Sequence, residues 1–238
     1  MARDFTGGSS NRVDIGTFSI VSTQLTLACW IYINAWQVAR DDRLISKADG
    51  TGTANHDWML GKTDSAGSTT PRLRCRFNRS SVTLIGATEL PTGQWVHVAA
   101  TFNNGAGEIF INGVSDGTLG TFSTGNLPNN TNAVYIGNQP TSTSTAPNGR
   151  IAEAVAWNVA LSATEIAALA HGVPPSRIRP DALEFYLPLG HGVTEPDYSG
   201  KGRNGTVTGT SIGDHAPIMP AWGFDEVQVW QSAGGGAI

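Results

Sequence analysis

The chain has 238 residues, 29 of them Gly and 12 Pro, with 14% charged residues and a formal net charge of −4. Its 15 Lys and Arg form no concentrated block, which argues against nucleic acid as a partner. No stretch approaches the roughly 18 consecutive apolar residues of a membrane span, and a core of this size needs no disulfide framework.

Short apolar runs between Gly- and Pro-rich turn signals predict an all-β sandwich, and the length suits one unit. Met1-Ala2-Arg3-Asp4-Phe5 carries no apolar h-region, so a Sec-type signal peptide is not expected. Residues 3–16 and 25–34 read as the first strands. In the second, Cys29 is in phase with Leu25, Leu27, Ile31 and Ile33 and faces inward, as Cys75 does with Leu73 and Phe77. Pairing of the two cysteines is left open. Leu44 to Lys47 and Asp57 to Gly61 follow, then Arg72 to Phe77 and Val82 to Gly86.

The next segment carries the clearest local pattern. Trp95, His97, Ala99 and Thr101 alternate with Val96, Val98, Ala100 and Phe102, the period of a strand with one face on a core. Trp95 is expected to be a buried aromatic. Asn103 to Gly107 is a polar turn, and Glu108-Ile109-Phe110-Ile111 is the return strand. Asn112-Gly113 supplies the positive φ angles of a tight hairpin. A polar loop near Phe122 to Thr131 precedes a strand over Ala133 to Gly137. Pro140 to Pro147 is a surface loop, and Gly149 to Asn158 is a further strand.

Ser162-Ala163-Thr164-Glu165 is a capping box. Ile166 and Leu169 give its helix an inward stripe, Gly172 stops it and Pro174-Pro175 prevents a restart. Leu183 to Leu189 and Asp197 to Gly209 form a last strand–loop–strand unit. It either completes the same sandwich or copies a domain start; the few residues left favour the first.

The hairpin wording "G-Q-W-V-H-V-A-A-T-F … I-F-I-N-G", the strand and helix from Gly149 to Ile166, and "D-Y-S-G-K-G-R-N-G-T-V-T-G" from Asp197 to Gly209 resemble laminin-G-like domains. These belong to the concanavalin A-like lectin/glucanase superfamily. The resemblance covers about residues 3–218 and implies a jelly roll of two antiparallel sheets with one short helix. The motif order also resembles laminin-G-like proteins of tailed bacteriophages. It implies a non-catalytic virion protein, on capsid or tail, made in the host cytoplasm. Its partners would be other virion subunits, copies of itself or a host-surface glycan. The alternative function is a carbohydrate-binding module or lectin. Residues 1–220 would form the sandwich and 221–238 an attachment tail. In that tail Phe224, Val227, Val229 and Trp230 are too apolar for a free end, unless they close the chain's own sheet.

Several candidate chemistries are weighed on single residues. Glucanases of this superfamily carry an E-x-D-x-x-E strand, and none is present, so no catalytic pair is assigned. Gly209-Thr210-Ser211-Ile212-Gly213 matches a serine elbow by letter, yet Asp214-His215-Ala216-Pro217 does not start a helix. His97 is expected to be a satisfied structural histidine. The resemblance raises calcium, but the family's metal-associated Asp falls on Ala152, beside Glu153. Asp4, Asp49, Asp57 and Asp197 remain as loop oxygens or as turn formers. Arg72, Arg74 and Arg76 share one strand face, either as a stripe for an acidic glycan or protein or as a solvated face. Trp30 and Tyr32 lie opposite the Cys29/Ile31 face and either stack on sugars or are covered by protein.

Overall fold

The computed structural model describes residues 1–8, 10–36, 42–49, 55–63, 70–139 and 146–216. Residues 221–238, including Phe224, Val227, Val229 and Trp230, lie outside these, as does most of Pro140 to Pro147.

Sixteen strands build the described part: β1 (Ala2–Thr6), β2 (Arg12–Thr17), β3 (Gln24–Ala35), β4 (Arg43–Ala48), β5 (His56–Lys62), β6 (Arg72–Phe77), β7 (Leu84–Glu89), β8 (Trp95–Asn103), β9 (Ala106–Ile111), β10 (Val114–Thr121), β11 (Ala133–Ile136), β12 (Asn148–Trp157), β13 (Leu183–Leu187), β14 (Thr194–Glu195), β15 (Gly205–Thr208) and β16 (Ser211–Gly213). One sheet runs β10-β9-β8-β3-β12-β1-β16, with β13 also on β12; the other runs β14-β15-β2-β11-β4-β5-β6-β7. Every pairing is antiparallel. This is the expected concanavalin A-like jelly-roll sandwich. We call the sheet holding β3 and β8 the first sheet and the other the second.

The expected strand over 3–16 is two strands in two sheets. Gly7 turns the chain at φ +75°, and Asn11 Oδ1 accepts from Gly8 N at 2.8 Å. The chain thus crosses from β1 in the first sheet to β2 in the second. The strand expected from Val82 instead starts at Leu84 and runs to Glu89.

The core fills the space between the sheets. Val96, Val98, Ala100 and Phe102 of β8 all enter it, as the alternation predicts. Phe102 stacks on Phe77 of β6 at 5.4 Å between ring centres, and Phe122 meets both edge-on. Cys29 and Cys75 are buried, unbonded core residues, and burial pushes both thiol pKa values up.

The last strand–loop–strand unit completes the same sandwich. β13 pairs with β12, β15 with β2 and β16 with β1. Asp197 organises the intervening loop by accepting from Tyr186 N, Ser199 N and Arg203 N, each at 2.9 Å. Burial alone would raise its pKa, but these backbone donors outweigh it and hold the carboxyl below its ordinary value.

A second apolar cluster lies outside the first sheet, under the helix α1 (Ala163–Ala170). Ile166 and Leu169 pack on Ala99, Phe110, Val155 and Trp157. The capping box is present: Ser162 N donates to Glu165 Oε2 at 2.8 Å and Glu165 N to Ser162 Oγ at 3.3 Å. The Asn112-Gly113 turn has φ +49° and +81°. Gly113 also admits the helix, since a Cβ there would stand 2.8 Å from Ala167 Cα.

Candidate binding site

The sandwich offers three polar surfaces, and the expected site residues are distributed among them. On the outer face of the second sheet, Arg72, Arg74 and Arg76 alternate as predicted, but they form no open stripe. Only Arg72 is exposed; Arg74 and Arg76 are 4% and 8% exposed. Arg76 Nε donates to Thr83 Oγ1 at 2.8 Å, and its Nη1 approaches His56 Nδ1 at 3.5 Å. His56 lies in turn against Arg43 Nη2 at 3.0 Å, and Arg43 Nε donates to Gln139 Oε1 at 2.9 Å. Burial, with Arg76 as a like-charged neighbour, pushes the Arg74 pKa down to about 9. Arg76 meets Thr83 and His56 in place of solvent, and Arg74 is buried beside it. Neither the solvated face nor the open cationic stripe describes them.

The four carboxylates considered for calcium do not converge. Asp57 accepts from Lys47 Nζ at 3.0 Å and Arg79 Nε at 2.7 Å, and Arg79 also bonds Asp49 at 2.5 Å. Asp197 is committed to its loop, and Asp4 sits in β1. Cations already occupy the Asp49/Asp57 oxygens, a poor setting for a divalent ion. Among the described residues no group of three or more His, Cys, Asp or Glu could hold a metal.

The second surface is an open groove of about 660 Å³ at one end of the sandwich. Asn34, Ala35 and Trp36 at the end of β3 form one wall, and Pro71, Glu89, Leu90, Pro91 and Thr92 the other. Trp36 is fixed by its Nε1, which donates to Leu90 O at 3.0 Å, and Lys62 Nζ lies 5.8 Å from its ring centre. Register sets Arg72 opposite Glu89, so the exposed arginine stands beside the groove. Asn34 shares a strand face with Tyr32, two residues back. Tyr32 pairs edge-on with Trp95 at 5.7 Å, and the Arg150 guanidinium lies 5.0 Å over the Tyr32 ring. Tyr32 and Trp95 are half-buried on the outer face of the first sheet. Trp95 is therefore not the buried core aromatic expected.

The third is a cavity of about 170 Å³ between the first sheet and the segment after α1. Trp30 lines it, with His97, Glu153 and Tyr186. Trp30 meets His97 edge-on at 5.3 Å between ring centres. The expected satisfied histidine is not satisfied: among the described residues the His97 side chain has no hydrogen-bond partner, and Nδ1 is buried. Desolvation pushes its pKa down to about 3, so the ring is neutral. Glu153 accepts from Tyr186 Oη and from His215 Nε2, the latter at 2.9 Å. Burial first, then the Glu153 charge, pushes the Tyr186 pKa up. His215 is thus a partner of Glu153. Ser211 lies in β16, and the described residues that follow it, as far as Ala216, form no helix of the kind a serine elbow needs.

Alternation alone points to Trp30 and Tyr32. It gives no sign of Trp36, where the alternating run ends, or of the Glu153 cluster, which needs contacts across 33 and 62 residues.

The model of the laminin G type described as the concanavalin A-like lectin/glucanases superfamily matches residues 6–167. The chain belongs to this superfamily. Among curated proteins the sequence has no match. It is similar in fold to a proposed carbohydrate binding protein from Bacteroides ovatus, with a TM-score of 0.70 and 22% identity over 92% of this chain. The chain spans 61% of the length of that protein. It is also similar to a heptameric SAP-like pentraxin from Limulus polyphemus, with a TM-score of 0.54 and 19% identity over 68% of this chain and 75% of that one. Domain 4 of a GH43 extracellular arabinanase from Geobacillus stearothermophilus, in complex with arabinotriose, has a TM-score of 0.52 and 21% identity over 71% of this chain and 76% of that one. At these identities the likeness is one of fold.

Proposed function

We propose that the protein is a non-catalytic carbohydrate-binding sandwich that holds an oligosaccharide in the end groove. The observation that carries this reading is the composition of the groove. Trp36 offers an aromatic surface held by its Leu90 bond, and Asn34, Glu89 and Thr92 stand exposed around it. Sugar rings stack their C–H faces on aromatics while planar and hydroxylic polar groups take their hydroxyls. The groove is open, so a chain can pass through it. The Tyr32/Trp95 pair lies outside the groove's own lining, with Tyr32 two residues back from Asn34 along β3. Its described lining holds one carboxylate, Glu89, where a glycosidase of the common kind uses two. The likeness to a proposed carbohydrate binding protein and to an arabinotriose-bound domain supports the same reading.

Placement on a virion, with residues 221–238 as the attachment and other virion subunits as partners, rests on the sequence resemblance alone and ranks second. It is compatible with a host-surface glycan in the groove. A glycan array probed with the full chain and with Trp36→Ala tests the leading reading. Binding to at least one oligosaccharide, lost in the variant, is the expected result. A chain that binds no glycan but adds to pre-formed particles would favour the second reading.

A further inference from the structure

The cavity under α1 lies on a different surface from the groove, and the glycan reading makes no use of it. Its construction is unusual. β12 pairs with β1 over Asn148 to Ile151 and with β13 over Ala154 to Trp157, and between the two its register against β3 shifts from Ala152 to Val155. Glu153 sits in that bulge at φ +53°, a conformation that a side chain with a Cβ adopts only at a cost. The bulge turns the carboxylate to the outside of the first sheet, where it is 8% exposed.

Around it the walls are apolar, with Trp30, Val155, Leu169, Val173 and two prolines, and among the described residues no Lys or Arg lines the space. Tyr186 and His215 each donate one hydrogen bond to the Glu153 carboxylate. Two carboxylate oxygens offer about four acceptor positions, so capacity remains. His97 lines the same cavity, 3% exposed, with no side-chain hydrogen bond among the described residues. A buried imidazole without a partner is costly, and a ligand that supplies one recovers that cost.

We infer that this cavity is a second binding site, for a small organic ammonium with an apolar body. Its N–H groups donate to the Glu153 carboxylate and to the His97 ring, and the Trp30 and Tyr186 rings flank the charge. A neutral imidazole has one ring nitrogen free to accept, which suits an N–H donor. A buried carboxylate and aromatic rings favour a cation over a neutral molecule of equal shape. Fewer than a dozen non-hydrogen atoms suit a space of about 170 Å³.

Titration of the full chain with cyclohexylamine and with cyclohexanol, at about pH 7 where the amine is charged, isolates the ammonium from the shape. The expected result is saturable amine binding, with the alcohol at least about tenfold weaker. Glu153→Gln should lower amine affinity at least about tenfold and leave the alcohol unchanged. Should that variant not fold, Val173→Phe fills the cavity from the loop after α1 without touching the carboxylate, and it should abolish amine binding. Trp36→Ala should leave amine binding unchanged, which separates this site from the glycan groove. Equal binding of amine and alcohol, no saturable amine binding, or wild-type affinity in either cavity variant would overturn the assignment.

Discussion

Burial holds the His97 imidazole neutral in the folded chain, with its pKa lowered from 6.5 to about 3. The unfolded chain takes up a proton below about pH 6.5 while the folded chain does not. Unfolding therefore binds protons in that window, and stability rises with pH across it. As pH falls from about 6.5 toward 3, this group alone removes up to about 1.4 kcal/mol per pH unit. Denaturant melts at about pH 7.5 and 5.5 should show the loss, and His97→Gln should show a shallower one. Equal slopes in the two proteins would contradict the neutral, buried ring. The tryptophans divide in the same way. Trp157 is fully buried and its Nε1 donates to Ile178 O at 2.7 Å, so Trp157→Ala should cost about 3–5 kcal/mol. Trp95 is half-buried outside the first sheet, so Trp95→Ala should cost about 1–2 kcal/mol. Urea titration of both variants measures the difference. The phase of β8 is legible in its alternation, but what covers its outer face is not. Period two says which residues share a face. The helix that buries Ala99 and the edge that leaves Trp95 open are set by distant segments.

At the scale of elements, the local signals are the ones the sequence carries. The capping box at Ser162 and the Asn112-Gly113 turn each lie within four residues, and both form as expected. Ser162→Ala should cost about 1 kcal/mol, read from the urea midpoint, because it orphans the Glu165 N–H. Asp197→Ala should cost more, about 2–3 kcal/mol, since three backbone donors lose their acceptor together. A loss no larger than that of Ser162→Ala would show that the 197–204 loop is held by something else. The split of residues 3–16 between two sheets is not legible from alternation. The Gly7-Gly8-Ser9-Ser10-Asn11 run signals a turn, but a turn does not say which sheet each strand joins. The Glu153 bulge is equally silent, since "G-R-I-A-E-A-V-A-W" alternates well enough to read as one plain strand.

At the scale of the whole molecule, the superfamily match ends at residue 167, yet the sandwich does not. β13 and β16 extend the first sheet, β15 extends the second, and Phe185 and Leu187 enter the main core. A chain cut after residue 182 should therefore lose its cooperative thermal transition; a transition like that of the full chain would show that the last strands are ornamental. The groove forms where the end of β3 meets Pro71 and the Glu89–Thr92 segment, segments far apart in sequence. No single stretch therefore announces it. The most direct test of carbohydrate binding there uses the seven tryptophan indole N–H signals of the labelled full chain. These are followed by NMR during titration with the strongest glycan from the array. The account predicts that the Trp36 signal shifts with the bound fraction. Trp58 and Trp157, buried at 1% and 0% exposure, should stay in place. Saturable glycan binding that leaves the Trp36 signal unmoved, or no glycan binding at all, would contradict it.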